Sequence, residues 1–186
     1  MADDFAPGLW LAVLHIHVGP ASFVARYHYP GVSNYIAISR DTIKLPHGNL
    51  DDLGLISLSP DVDHAKFHTF TGLGRVLLPV LTLKGAGAID GLGSMFPKTV
   101  VRIFDLFEKD SSGALDELRK LQHTVAAGEK MVGKWGVMGV KEGISRLRGF
   151  GDSDGGRVPL QGGFGDAEWA RWKDALDELE AVERSL

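Results

Sequence analysis

The spacing of apolar positions changes near residue 95. Before that point they fall in short blocks parted by glycine and proline: LWLAVLHIHV (9–18), SFVARYHY (22–29) and KFHTFTG (66–72). Blocks of this length, rich in β-branched and aromatic side chains and closed by turn residues, predict strands. VLLPVLTL (76–83) is apolar throughout, which fits a buried strand or a buried helix equally well. GAIDGLG (87–93) is short and bounded by glycine. Beyond residue 95 the spacing becomes three and four. Pro97 ahead of KTVVRIFDLFEKD suits proline in the first turn of a helix. Leu115, Leu118, Leu121 and Val125 recur along one helical face. DAEWARWKDALDELEAVERSL (166–186) gathers Trp169, Trp172, Leu176 and Leu179 into one stripe with charges elsewhere, and Asp166 is its expected N-cap. Strand-turn units followed by amphipathic helices predict an α/β body with a helical tail. There is no internal repeat.

Composition narrows the function classes. The 186 residues are 44% hydrophobic and 24% charged, enough to bury the core of one domain or of a domain with an appendage. A net charge of −4 without a long basic run gives no reason to expect a nucleic-acid partner. No apolar run approaches the roughly 18 to 20 residues of a membrane span. The first residues, MADDFAPG, carry acid where a leader would carry Arg or Lys, so the expected compartment is the cytoplasm. With no cysteine, disulfides, thiolate metal sites and a cysteine nucleophile are excluded.

Several residues could carry chemistry. Lys44, in DTIKLPHGNLDDL (41–53), ends an apolar stretch just before a turn. It is either a solvated turn residue or a half-buried amine held for covalent work, since burial disfavours the ammonium and frees the nucleophile. Tyr27 and Tyr29 alternate with His28, share a strand face, and could pack or relay protons. His15 and His17 share a face, but no third ligand lies at a recognisable spacing, and no metal or cofactor is expected. GAGAIDGLG (85–93) superficially resembles a dinucleotide loop, yet a proline-started helix follows it and only Glu108 could serve as the distant acid. DSDGG (152–156) lacks the other calcium-loop ligands and reads as a surface turn.

The order of the pieces says more than any one of them. RYHYPGVSNYI, TIKLPHGNL, FTGLGRVLLPVLTLKGAGAIDGLGSMFPKTVVRIFDLFEKD and GVKEGISRLRGF resemble the second half of the dihydrodipicolinate synthase/N-acetylneuraminate lyase family. The nearest members are those like 4-hydroxy-2-oxoglutarate aldolase. The resemblance covers roughly residues 22 to 186. It implies an α/β fold, the C-terminal half of a TIM (β/α)8 barrel over residues 1–109, followed by a helical extension over 110–186. It also implies class I aldolase chemistry on pyruvate-like 2-oxo acids and an aldehyde. Lys44 would form an imine at the end of barrel strand six, and Tyr27 would relay protons near the end of strand five. Thr71 and Gly72 would border the pocket from strand seven, and Ile89 would give a backbone carbonyl from strand eight. VLLPVLTL then becomes the helix between strands seven and eight.

Three departures qualify the resemblance. The G-T-T-G-E-type loop with which the family holds a substrate carboxylate has no counterpart. Residues 31 to 43 leave too little room for a crossover helix and a following strand, which predicts that both are cut. Val32 stands where the lysine-biosynthesis enzymes have an arginine, which argues against dihydrodipicolinate synthase proper. Four strands cannot close a barrel, so open edges call for cover by another chain or the N-terminal segment, and a homo-oligomer is expected. The competing reading is a non-catalytic remnant that pairs with full-length relatives through its helical tail.

Overall fold

Short connections decide the direction of the first strands. The computed structural model describes residues 10–14, 22–29, 32–39, 42–153 and 157–186, the first three segments in their backbone. Strands β1 (Trp10–Leu14), β2 (Ser22–Tyr29), β3 (Val32–Ser39) and β4 (Thr42–Leu45) pair antiparallel in chain order. Tyr29 faces Val32 across a two-residue connection. A link that short can only reverse the chain, because a parallel crossover needs about 10 to 12 residues or more.

Longer links change the geometry. Helix α1 (Leu50–Ser57) joins β4 to β5 (His68–Thr71), and a 3-10 turn at Gly74–Val76 with helix α2 (Leu77–Thr82) joins β5 to β6 (Gly87–Ala88). Both pairs, β4 with β5 and β5 with β6, are parallel. The sheet order is β1-β2-β3-β4-β5-β6.

SFVARYHY is therefore a strand over its whole length, KFHTFTG contains one, and VLLPVLTL is a helix. Of LWLAVLHIHV, residues 10–14 form a strand, while His15 and His17 lie outside the described residues. The barrel expectation needs correcting in extent. A (β/α)8 barrel is parallel throughout, and here only β4, β5 and β6 are parallel. The interval before Lys44 also differs from expectation. The crossover helix is replaced by β3, but the strand that carries Lys44 is present as β4.

The helical part consists of α3 (Pro97–Asp110), α4 (Leu115–Trp135), α5 (Val137–Arg148), α6 (Asp166–Ala170) and α7 (Lys173–Ser185). Its core joins Leu77 and Leu81 of α2 to Ile103, Leu118, Val125, Leu176 and Leu179, around Phe96 and Met95. Gly128 lets α7 sit close on α4, since a Cβ there would lie 2.1 Å from Leu179 Cδ1. A smaller core of Ile43, Leu45, Leu53 and Val80 seals β4 against α1 and α2. Among the described residues no helix is long and apolar enough to cross a membrane.

The last segment is two helices rather than one, and Gly165, not Asp166, is the N-cap of α6. The Asp166 carboxylate is instead taken by Arg146, whose Nη1 lies 2.7 Å away. DSDGG is described only at Asp152 and Ser153.

Glutamates tie the helices together. Phe96, at the N-cap of α3, offers no side-chain acceptor. Glu183 of α7 fills the gap: its carboxylate accepts the Lys98 amide at 3.0 Å, the Thr99 amide at 2.8 Å and the Thr99 hydroxyl at 2.7 Å. Glu183→Ala is expected to lower unfolding stability by about 2 kcal/mol, as for loss of a charged cap from partly buried donors. Urea denaturation measures it.

Glu168 gathers Lys134 Nζ at 2.6 Å and the indole N–H groups of Trp135 and Trp172 at 3.0 and 3.2 Å. Lys134 above all, helped by the two indoles and opposed by burial, pulls its carboxyl down to about 2. A carboxyl held below its ordinary value stabilises the fold in full above that value, 4.5, and loses this contribution as pH falls toward 2. Thermal melts between neutral pH and pH ~2 are therefore expected to show an acid limb that flattens in Glu168→Gln.

Candidate active site

Strand alternation sorts the residues of β4. Ile43 and Leu45 are 8% and 7% exposed and face α1 and α2, so Thr42 and Lys44 lie on the opposite face of the sheet. Lys44 is half-buried, paired with Ala37 of β3 on one side and Phe70 of β5 on the other. It stands one residue before the end of β4, and Thr71 and Ala88 end β5 and β6. Three parallel strands thus present their C-terminal ends together, which is where βα architectures build sites.

The loop after Lys44 explains its H-G-N. Gly48 takes φ +63°, a left-handed conformation suited to glycine. Asn49 then caps α1, its Oδ1 accepting the Asp51 and Asp52 amides at 3.0 and 3.3 Å. This short, capped turn fixes the end of β4. Gly72 holds the neighbouring end: its amide donates to the Leu45 carbonyl at 2.8 Å, and a Cβ would lie 2.6 Å from Pro46 Cα. No larger residue fits.

The other expected site residues are distributed unevenly. Thr71 pairs with Leu45, not Lys44, and so shares the helix-facing side. It is fully buried, and its hydroxyl accepts the Leu73 amide at 3.2 Å. Ile89 follows β6, with its amide donated to the Thr71 carbonyl at 2.9 Å and its side chain half exposed. Tyr27 lies in β2, two strands from Lys44, and its side chain is outside what is described. The β2 residue in line with Lys44, through Ala37, is Val24.

Two carboxylates that sequence reasoning passed over sit beside these strand ends. Asp90, two residues past β6, accepts the Gly93 amide at 3.1 Å through Oδ1. Its Oδ2 is buried against Gly74, with no hydrogen-bond partner among the described residues. Glu129 of α4 is 1% exposed, and its carboxylate accepts the Gly74 amide at 3.1 Å and the Arg75 amide in a shorter contact. Gln122, two turns earlier on α4, brackets the same turn by donating to the Gly74 carbonyl at 3.0 Å and accepting the Leu78 amide at 2.6 Å. Burial pushes both carboxyls above their ordinary range. At Asp90 the Gly93 amide, the nearby Gly74 amide and the positive charge of Lys44 oppose it. At Glu129 the Arg75 amide opposes burial and the charge of Asp90 adds to it.

GAGAIDGLG does not open a strand–helix crossover of the dinucleotide type. It holds the two-residue β6 and a 3-10 turn at Leu92–Ser94 before α3, and Glu108 is exposed on that helix. Two surface grooves, about 770 Å³ along α1 and about 740 Å³ between α2, α3 and α4, lie away from Lys44 and Asp90.

No family model matches the chain. Sequence comparison finds a probable mitochondrial 4-hydroxy-2-oxoglutarate aldolase from Emericella nidulans, 30% identical over 172 residues, covering 86% of this chain and 53% of the relative. An L-threo-3-deoxy-hexylosonate aldolase from Hypocrea jecorina is 28% identical over 177 residues, covering 86% and 54%. Among solved structures, a putative dihydrodipicolinate synthase family protein from Coccidioides immitis superposes with a TM-score of 0.62 at 22% identity, covering 78% of this chain and 47% of that one. Dihydrodipicolinate synthase from Thermotoga maritima gives 0.64 at 19% identity, covering 75% and 46%. The aldolase relatives and the structural neighbours together support a dihydrodipicolinate synthase/N-acetylneuraminate lyase-like family. It spans about half the length of the two aldolases it matches. The structural neighbours share its fold over the part they cover, and the family relation rests on the aldolase sequences together with that fold.

Proposed function

We propose that the chain carries a class I, Schiff-base aldolase-type lyase site for pyruvate-related 2-oxo acids, on part of a (β/α)8 barrel with a helical extension. One observation supports this most. Lys44 lies on the face of β4 opposite α1 and α2, at the joined C-terminal ends of three parallel strands. In this reading Lys44 attacks the keto carbon, and water leaves to give an imine with Tyr27 as proton relay. The imine draws electrons from the adjacent carbon, so a carbon–carbon bond breaks to an enamine and an aldehyde, or forms from them. In this reading Gly72 borders the substrate from the end of β5, and Ile89 offers its backbone carbonyl from the end of β6. The names of the two matched aldolases favour a short hydroxylated 2-oxo acid.

The test is turnover of 4-hydroxy-2-oxoglutarate by the purified chain, with released pyruvate as the readout. Release above the uncatalysed rate is the expected result. No release, with the fold intact by circular dichroism, would favour the reading of the chain as a binding partner of longer relatives. Copies of the chain covering the free edges of β1 and β6 fit the same reading, and native mass measures that. The cytoplasm remains the proposed compartment, although the Emericella relative is named as mitochondrial. Cell fractionation decides between them.

A further inference from the structure

We infer that Arg26, with its cross-strand neighbour Tyr35, forms the subsite for the carboxylate of the 2-oxo acid that Lys44 takes up. The inference rests on the aldolase reading above through Lys44 alone. It does not rest on Tyr27, whose register position falls on the other face of the sheet. Residues paired across a sheet share a face, and alternate residues along a strand return to it. Lys44 pairs with Ala37 of β3, Ala37 with Val24 of β2, and Val24 with Leu14 of β1. Two residues along from Ala37 and Val24, Tyr35 pairs with Arg26 on that same face. The sequence pattern agrees with this register. The opposite face is the one that Ile43 and Leu45 pack against α1 and α2, and none of its described strand positions carries a charged residue. Among the described strand positions, Arg26 is the only arginine or lysine that shares the face with Lys44.

The offset runs in the useful direction. Ala37 pairs with Lys44 and Ile38 with Ile43, so lower-numbered positions of β3 lie toward the C-terminal end of β4. Tyr35 and Arg26 are therefore displaced from Lys44 toward the side where the three parallel strands end. Two strand spacings and a two-residue offset set the Arg26 and Lys44 backbones about 12 Å apart, with Tyr35 on the strand between them. Two long side chains that far apart on one face can meet on a single small molecule without crowding their charges. A 2-oxo acid carries its carboxylate one bond from the carbon that Lys44 attacks, so donors for it must share the Lys44 face. The guanidinium fork matches both carboxylate oxygens, and a phenol O–H adds one more donor. The histidines on this face are placed less well. His68 pairs with Thr42, toward the start of β4, and His28 lies two residues beyond Arg26.

The experiment is the concentration dependence of borohydride trapping at Lys44, with pyruvate and with acetone, which has the ketone but no carboxylate. It is run on the wild-type chain, Arg26→Gln, Arg26→Lys and Tyr35→Phe, with the fold checked by circular dichroism. Arg26→Gln is expected to raise the half-saturating pyruvate concentration about 30-fold, on the scale of a charge-assisted contact, and to leave acetone trapping unchanged. Arg26→Lys keeps the charge without the fork and recovers part of the loss. Tyr35→Phe raises the pyruvate concentration about 5-fold, as for one neutral donor. Wild-type pyruvate dependence in Arg26→Gln would overturn the inference while leaving Lys44 as the imine-forming residue. An equal loss with both ketones, the mark of a merely structural arginine, also overturns it, as does a wild-type chain that traps acetone but not pyruvate. A wild-type chain that traps neither ketone would sink the aldolase reading, and the carboxylate subsite with it.

Discussion

Lys44→Met is expected to remove 2-oxo-acid turnover by more than about a thousandfold, the scale on which loss of a covalent nucleophile acts. The change should cost little stability. The lysine occupies the half-buried face of β4, while Ile43 and Leu45 supply the packing against α1 and α2. Methionine keeps the length and apolar stem of the side chain and discards only the amine. Turnover and thermal stability measured on the same preparation separate the two effects. A lysine kept for solubility would show the opposite pattern, with activity retained.

Glu129→Ala is expected to cost about 3 kcal/mol of unfolding stability, because two buried backbone amides lose a charged acceptor at once. Those amides, of Gly74 and Arg75, begin the turn that leads from β5 into α2. The damage should therefore reach the strand ends as well as α4. Glu129→Gln keeps one acceptor oxygen and should lose roughly half as much. The pH dependence has a definite sign. Burial holds the Glu129 carboxyl above its ordinary value, 4.5, so the folded chain binds that proton more tightly than the unfolded chain. This term makes stability rise as pH falls from neutral toward 4.5, and Glu129→Gln removes it. Urea midpoints at several pH values in the three proteins measure both claims.

The elements were legible where one local rule governed them. SFVARYHY reads as a strand from alternation and is one from Ser22 to Tyr29, and Pro97 marks the start of α3. Strand direction was harder, because residues 22 to 45 resemble a family whose strands all run parallel. The two-residue connection between Tyr29 and Val32 overrides that likeness locally, since the chain cannot cross over in so short a link. VLLPVLTL shows the reverse case, where composition could not choose and family order could.

Of the candidate site, the place of Lys44 just before a turn was legible, and Asn49 supplied the cap that ends the turn. The carboxylates were missed because their partners lie far off in sequence. A signal existed, however. Leu121, Val125 and Glu129 continue one helical stripe, as do Leu176, Leu179 and Glu183. A glutamate at the next apolar position is a buried carboxylate that must find donors, and each finds the start of another helix or turn. Charges do not all lie off the stripe of the last helix, and Glu183 is the exception that holds α3. Asp90 left no such trace, since a glycine-bounded loop has no periodicity from which burial could be read.

The central claim is that the Lys44 amine condenses with a ketone. Sodium borohydride added to the wild-type chain with pyruvate, followed by peptide mapping, tests it most directly. The account predicts one reduced pyruvate on the peptide containing Lys44 and none when pyruvate is omitted. An unmodified Lys44 at saturating pyruvate, or an adduct confined to other lysines, would contradict it.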